Sequence, residues 1–157
     1  EGHVAALMCK TDGDEDGFAP APAQKLKDRE KLYRNFEKQY LSVRFENLYL
    51  AGDTLYSLPD GAPLPAMQTL RAGVRLGEFV NGRFEPSHSL AMCLKKGEAA
   101  FFEVDREGAK AYLSGLTMPC DGNGWMVCAY NGFPLGWVKA AGGTAKNHYP
   151  KGLRIVM

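Results

Sequence analysis

Near the end of the chain, Trp125 to Tyr130 and Leu135 to Ala140 are two runs that are apolar on both alternating faces, Lys139 excepted. They are separated by Asn131-Gly132-Phe133-Pro134, which predicts a hairpin. Two more reversals precede it. Val43 to Leu50 and Thr54 to Leu58 flank Ala51-Gly52-Asp53, and Leu70 to Val80 runs into Asn81-Gly82, the strongest short turn signal.

Helical periodicity runs from about Ala23 to Tyr40. Leu26, Leu32, Tyr33, Phe36 and Tyr40 gather on one side, at about 100° per residue. Lys27, Lys31, Arg34 and Lys38 line the other side. That stripe reads as a solvated face, with RNA contact as the alternative; Glu30 four residues before Arg34 is the favourable order for a surface pair. A short helix is predicted from Pro86-Ser87 through Cys93 with Ser87 as its N-cap, then a strand over Ala99 to Val104 and a helix from about Asp105 to Leu113. Helices and strands mix without regular βαβ alternation, which makes the class α+β. No repeat of fixed period is present.

At the start, His3 to Cys9 reads as a short buried strand, followed by an acidic, Gly- and Pro-containing linker through Pro22. The linker's alternating acids imitate a calcium loop, but Ala23 stands where the closing Glu belongs and no helix enters. A start at Glu1 in place of Met points to a fragment or processed product. No apolar run approaches the roughly 18 residues of a membrane span, and no signal peptide is evident, so the expected location is cytoplasmic.

The net charge of +1 conceals segregation. Residues 1–22 hold five acids against one Lys10, whereas residues 122–157 hold four bases and no acid. The four cysteines, Cys9, Cys93, Cys120 and Cys128, lack Cys-x-x-Cys spacing and read as reduced, mainly buried thiols, giving neither a zinc site nor a disulfide framework. His3, His88 and His148 are too scattered for a local metal motif or triad. In Pro119-Cys120-Asp121-Gly122-Asn123-Gly124 the neighbouring Asp121 disfavours a thiolate, and no Gly-rich nucleotide loop precedes it. The segment reads as a turn into the next strand, and the catalytic assignment is none.

The acid-free terminus carries the binding candidates. Lys139, Lys146, Lys151 and Arg154 offer charge for phosphates, while Asn147 offers an amide for base edges and His148 and Tyr149 offer flat rings. Gly142-Gly143 and Gly152 would let backbone amides approach a ligand. The mixture suits single-stranded or irregular RNA. The competing interpretation has solvated cations, with His148-Tyr149-Pro150 plugging a barrel end.

Phe133-Pro134-Leu135-Gly136-Trp137-Val138-Lys139 and Lys146-Asn147-His148-Tyr149-Pro150-Lys151-Gly152-Leu153-Arg154 resemble the C-terminal PUA-like module of RsmF-type RNA methyltransferases, in the Sun family of cytosine-5 enzymes. Leu70 to Glu78 and Phe84 to Ala91 resemble the small domain preceding that module, and Glu1 to Leu7 is similar to the last strand of the catalytic domain. The resemblance implies three segments: 1–22, the end of a catalytic domain and a linker; 23–97, a small α+β domain with Arg71 and Arg75 as lesser RNA contacts; and 98–157, a PUA-like β-barrel. It further implies that the intact enzyme transfers a methyl group from S-adenosylmethionine to C5 of a cytidine in ribosomal RNA, or in some members transfer RNA. The methyl-donor pocket and nucleophilic cysteine would lie in the catalytic domain, so this chain would hold no cofactor and no metal. Its partners would be RNA and its own catalytic domain, with no membrane. Bracing the catalytic domain without touching RNA is the alternative function.

Overall fold

A computed structural model of the chain describes residues 26–60 and 73–155. The expected first strand, the acidic linker, Cys9 and Arg71 lie outside the described residues. Helix α1 spans Lys27–Tyr40, with Asp28 and Glu30 in its first turn and Lys38 in its last, the arrangement that suits the helix dipole. Its apolar side buries Tyr33 and Phe36 as the periodicity requires.

Four antiparallel strands follow: β1 (Leu48–Ala51), β2 (Thr54–Ser57), β3 (Val74–Val80) and β4 (Arg83–Pro86), hydrogen-bonded in that order. Asn81 and Gly82 both take positive φ, 49° and 71°, as the tight reversal between β3 and β4 demands. The first strand is shorter than Val43 to Leu50 would predict. At Phe45 the backbone bonds to side chains of α1 in place of a neighbouring strand: its N–H donates to Glu37 Oε1 at 2.9 Å, and Arg34 Nη1 donates to its O at 2.8 Å.

Helix α2 (His88–Cys93) begins at Ser87, whose hydroxyl accepts from Leu90 N–H at 3.1 Å. Next come β5 (Phe101–Glu103) and α3 (Arg106–Leu113), the latter capped by Asp105 on Gly108 N–H at 2.8 Å. The remaining strands are β6 (Met118–Pro119), β7 (Gly124–Tyr130), β8 (Phe133–Ala141) and β9 (Thr144–Asn147), before a 3-10 turn at Lys151–Leu153. They form a second sheet ordered β5-β7-β8-β9-β6, in which only the β5–β7 pairing is parallel.

The β7–β8 reversal uses two residues, Asn131 and Gly132 at φ 51° and 78°; Phe133 and Pro134 already belong to β8. Gly142-Gly143 makes the β8–β9 turn, with φ 56° and 76°. Strand β9 has no signature in the sequence, because Thr144-Ala145-Lys146-Asn147 contains no large apolar residue to mark it.

The two-faced apolarity of β7 and β8 is explained by two cores. Trp125, Val127 and Trp137 join Tyr33, Phe36, Leu55, Leu76 and Phe84 on one side of the sheet. Cys128, Val138, Ala140 and Ala145 meet Tyr112 of α3, Met118 and Cys120 on the other. The first core runs without interruption across the boundary expected near residue 97, and Trp137 Nε1 donates to Ser87 O at 2.8 Å. Of the thiols, Cys120 and Cys128 are buried and Cys93 is exposed.

Candidate nucleic-acid interface

Cross-strand register determines which cations meet. Lys139 of β8 pairs with Trp125 of β7 on one side and with Lys146 of β9 on the other, so the three side chains leave the same face of the sheet. Both lysines are exposed, and among the described residues neither forms an ion pair. Lys139 Nζ lies 5.3 Å from the Trp125 ring centroid, within cation–π range.

His148 completes the cluster. Its backbone N–H donates to Trp137 O at 3.1 Å, and its ring meets Trp125 edge-on, with centroids 4.5 Å apart. Burial lowers its pKa below the ordinary histidine value, and the positive charge of Lys146 and, more weakly, Lys139 adds to that against the opposing pull of Glu85. The imidazole is therefore neutral near pH 7 and offers one donor and one acceptor.

Other expected contacts are used internally. Asn147 is buried, and its amide donates to Tyr112 O at 2.8 Å and Leu116 O at 3.1 Å while its oxygen accepts from Tyr149 N–H at 2.8 Å. This corrects the assignment of Asn147 as a base reader: both its donors are taken, and no base edge reaches a side chain folded under α3. The half-buried Tyr149 ring packs against His88 and Tyr112, with both centroid distances 5.4 Å. Arg154 is half-buried against Gly115, where a Cβ would fall 2.5 Å from Nε, so less of its guanidinium faces solvent than its place in the cationic segment suggests. Lys151 is exposed at the start of the 3-10 turn. Arg75 is exposed and ion-paired with Glu78. In the α1 stripe Arg34 is likewise occupied, by Glu37 at 2.6 Å with Glu30 and Glu46 nearby, whereas Lys31 and Lys38 are exposed.

One feature has no counterpart in the sequence patterns. A cleft of about 440 Å³ opens where the end of α1 meets the starts of β5 and β7, lined by Lys38, Tyr40, Ser42, Ala100, Asn123 and Trp125. Its residues are scattered along the chain, and no local pattern joins them. Cys120 is buried, with its sulfur accepting from Gly122 N–H at 3.4 Å, and presents no exposed nucleophile. Among the described residues no three His, Cys, Asp or Glu side chains converge as a metal site, and no helix is long and apolar enough to cross a membrane.

Residues 99–155 match the family described as methyltransferase RsmF PUA domain, and residues 35–94 match the RsmF rRNA methyltransferase first C-terminal domain. The chain belongs to the RsmF methyltransferase family. Among its relatives is the ribosomal RNA small subunit methyltransferase F of Shewanella oneidensis, 31% identical over 170 residues, an alignment covering 89% of this chain and 36% of the relative. The protein of the same name from Aeromonas salmonicida is 26% identical over 142 residues, covering 87% of this chain and 29% of the relative. The chain thus spans about a third of the length of the RsmF relatives it matches. In RsmF terms, the lysine pair on β8 and β9 lies in the PUA part, and the cleft lies where the two matched regions meet.

Proposed function

We propose that this chain is the RNA-binding and substrate-orienting C-terminal region of an rRNA (cytosine-5) methyltransferase. Ribosomal RNA is the intended partner, with transfer RNA as the alternative. The observation that carries this reading is the pairing of Lys139 with Lys146: like charges directly opposite weaken a sheet, and an RNA phosphate relieves the repulsion. The names of the relatives supply the RNA class.

The methyl donor belongs elsewhere in the parent protein. S-adenosylmethionine is bound in the crevice at the carboxyl ends of parallel strands, beside a Gly-rich turn. Here the one parallel pair among the described strands is β5 with β7: β5 leads into α3 through Val104-Asp105, which has no glycine, and β7 leads into the Asn131-Gly132 hairpin turn, where Gly132 N–H already donates to Glu103 Oε1 at 2.8 Å. This supports a donor site outside the described residues, and no catalytic step is assigned to them.

Titration of this chain with ribosomal RNA fragments across a salt series tests the reading. Replacing Lys139 and Lys146 with Ala should weaken binding and flatten the log–log salt slope by about 0.7 for each single-strand phosphate no longer neutralised. An unchanged slope would refute the assignment of these lysines to phosphate.

The second reading, a brace for the catalytic domain, has its own support. Leu116, Leu153 and Ile155 are exposed apolar residues, and Ile155 N–H is tied to Leu113 O at 3.1 Å. On that reading the chain binds no RNA, and Leu116→Ser with Ile155→Ser lowers the stability of the whole parent enzyme.

A further inference from the structure

We propose that the cleft between α1 and β7 seats one unpaired nucleotide of the RNA, its base entering beside Tyr40 and Trp125 and its phosphate resting on Lys139 and Lys146. This deepens the RNA-binding reading and rests on it.

The cleft is built into the fold. Helix α1 ends at Tyr40, whose ring lies on Gly124: a Cβ there would fall 2.6 Å from a ring carbon, and the residue has φ +78°. Only glycine lets the β7 backbone approach the ring this closely. The chain leaving α1 is tied to the start of the second sheet by the Leu41–Ala99 bridge and by Ser42 N–H donating to Glu98 O at 2.8 Å. Backbone bonds therefore hold the two walls at a defined separation. At about 440 Å³, the cleft falls within the range of about 300–1,000 Å³ typical of small-ligand pockets.

Its chemistry matches a nucleotide. Lys38 and Asn123 line the cleft, the first a charge for a phosphate and the second an amide for a base edge. Trp125 is the wall shared by the cleft and the lysine pair, because it lines the first and lies under Lys139 Nζ. The indole is 6% exposed, covered in part by that flexible ammonium and by His148. A phosphate that draws the Lys139 side chain outward uncovers ring surface on which a base stacks. Such an arrangement excludes duplex RNA, whose bases are already stacked and whose deep groove admits no side chain.

The chain holds two tryptophans, Trp125 and Trp137, with ring centroids 6.1 Å apart; the second is 1% exposed with its Nε1 bonded to Ser87 O, so comparison with Trp125→Phe is what assigns an emission change to Trp125. A short, unstructured oligouridine and a blunt RNA duplex of the same length are titrated into the whole chain, with fluorescence and affinity both read. The oligouridine should bind more tightly than the duplex and change the emission, and Trp125→Phe should abolish that change. Lys38→Ala and Asn123→Ala, neither of them at a buried position, should each weaken oligouridine binding by about 3–10-fold without altering thermal unfolding. Lys151→Ala, away from the cleft, should lower the salt slope but keep the emission change. RNA binding with constant Trp125 emission and undiminished affinity in Lys38→Ala and Asn123→Ala would overturn the cleft while sparing the RNA-binding reading. Absence of binding by either RNA would overturn both.

Discussion

Lys139 and Lys146 stand directly opposite one another on adjacent antiparallel strands, both exposed and both on the face that carries Trp125. Opposed like charges destabilise a sheet, whereas an opposite pair contributes about 0.2–1 kcal/mol. Lys146→Glu should therefore raise the thermal midpoint of the free chain while sharply weakening RNA binding. Calorimetry and RNA titration of the same variant check both halves; a variant that is destabilised and binds normally would contradict them.

Asn147 predicts the reverse pattern. Its amide satisfies Tyr112 O and Leu116 O, and its oxygen accepts from Tyr149 N–H. Asn147→Ala should cost about 1–3 kcal/mol in denaturant unfolding by leaving buried backbone groups unpaired. RNA affinity, measured where the variant is fully folded, should stay within about 2-fold of the parent, a change below about 0.5 kcal/mol.

Trp137 joins the two family-matched regions, reaching from β8 to Ser87 O and sitting in the core they share. With one core spanning both, unfolding should be a single cooperative transition. Scanning calorimetry should show coincident calorimetric and van't Hoff enthalpies. Trp137→Ala should destabilise by about 3–5 kcal/mol. Two resolved transitions in the unaltered chain would show the regions to be independent.

Acid should separate stability from binding. Burial lowers the pKa of His148, with Lys146 and Lys139 adding to the shift and Glu85 opposing it; burial alone lowers that of His88, which meets the Tyr149 ring. The unfolded chain binds protons first, so stability is full above the ordinary histidine value of about 6.5 and falls as pH drops from there toward the lowered folded values. Urea midpoints at about pH 7.5 and 5.5 should show the loss, and His88→Gln with His148→Gln should reduce it. RNA affinity should move oppositely, because a nearby phosphate favours the protonated His148. A flat or falling affinity on acidification would place the RNA away from that ring.

Much of the architecture is legible in short stretches of sequence. Helix α1, the cap at Ser87, both Asn-Gly reversals and the doubly apolar β7–β8 pair follow from periodicity and turn chemistry, which act over a few residues. Strand β9 is hidden because small and polar residues carry no periodic signal. Residues 43–47 carry a strand pattern that does not become one over its first part, because the backbone of Phe45 bonds to Glu37 and Arg34 on α1.

The candidate site divides along the same line. Sequence alone determined that residues 122–157 hold four bases and no acid, and where each cation falls along the chain. Only the tertiary structure decided that Lys139 and Lys146 converge beside His148 and Trp125, that Asn147 and Tyr149 turn inward, and that Lys38 and Asn123 share a cleft. Charge and local conformation are properties of short segments. Burial and convergence depend on strand register and on which faces the two cores cover, and those are settled when distant segments pack.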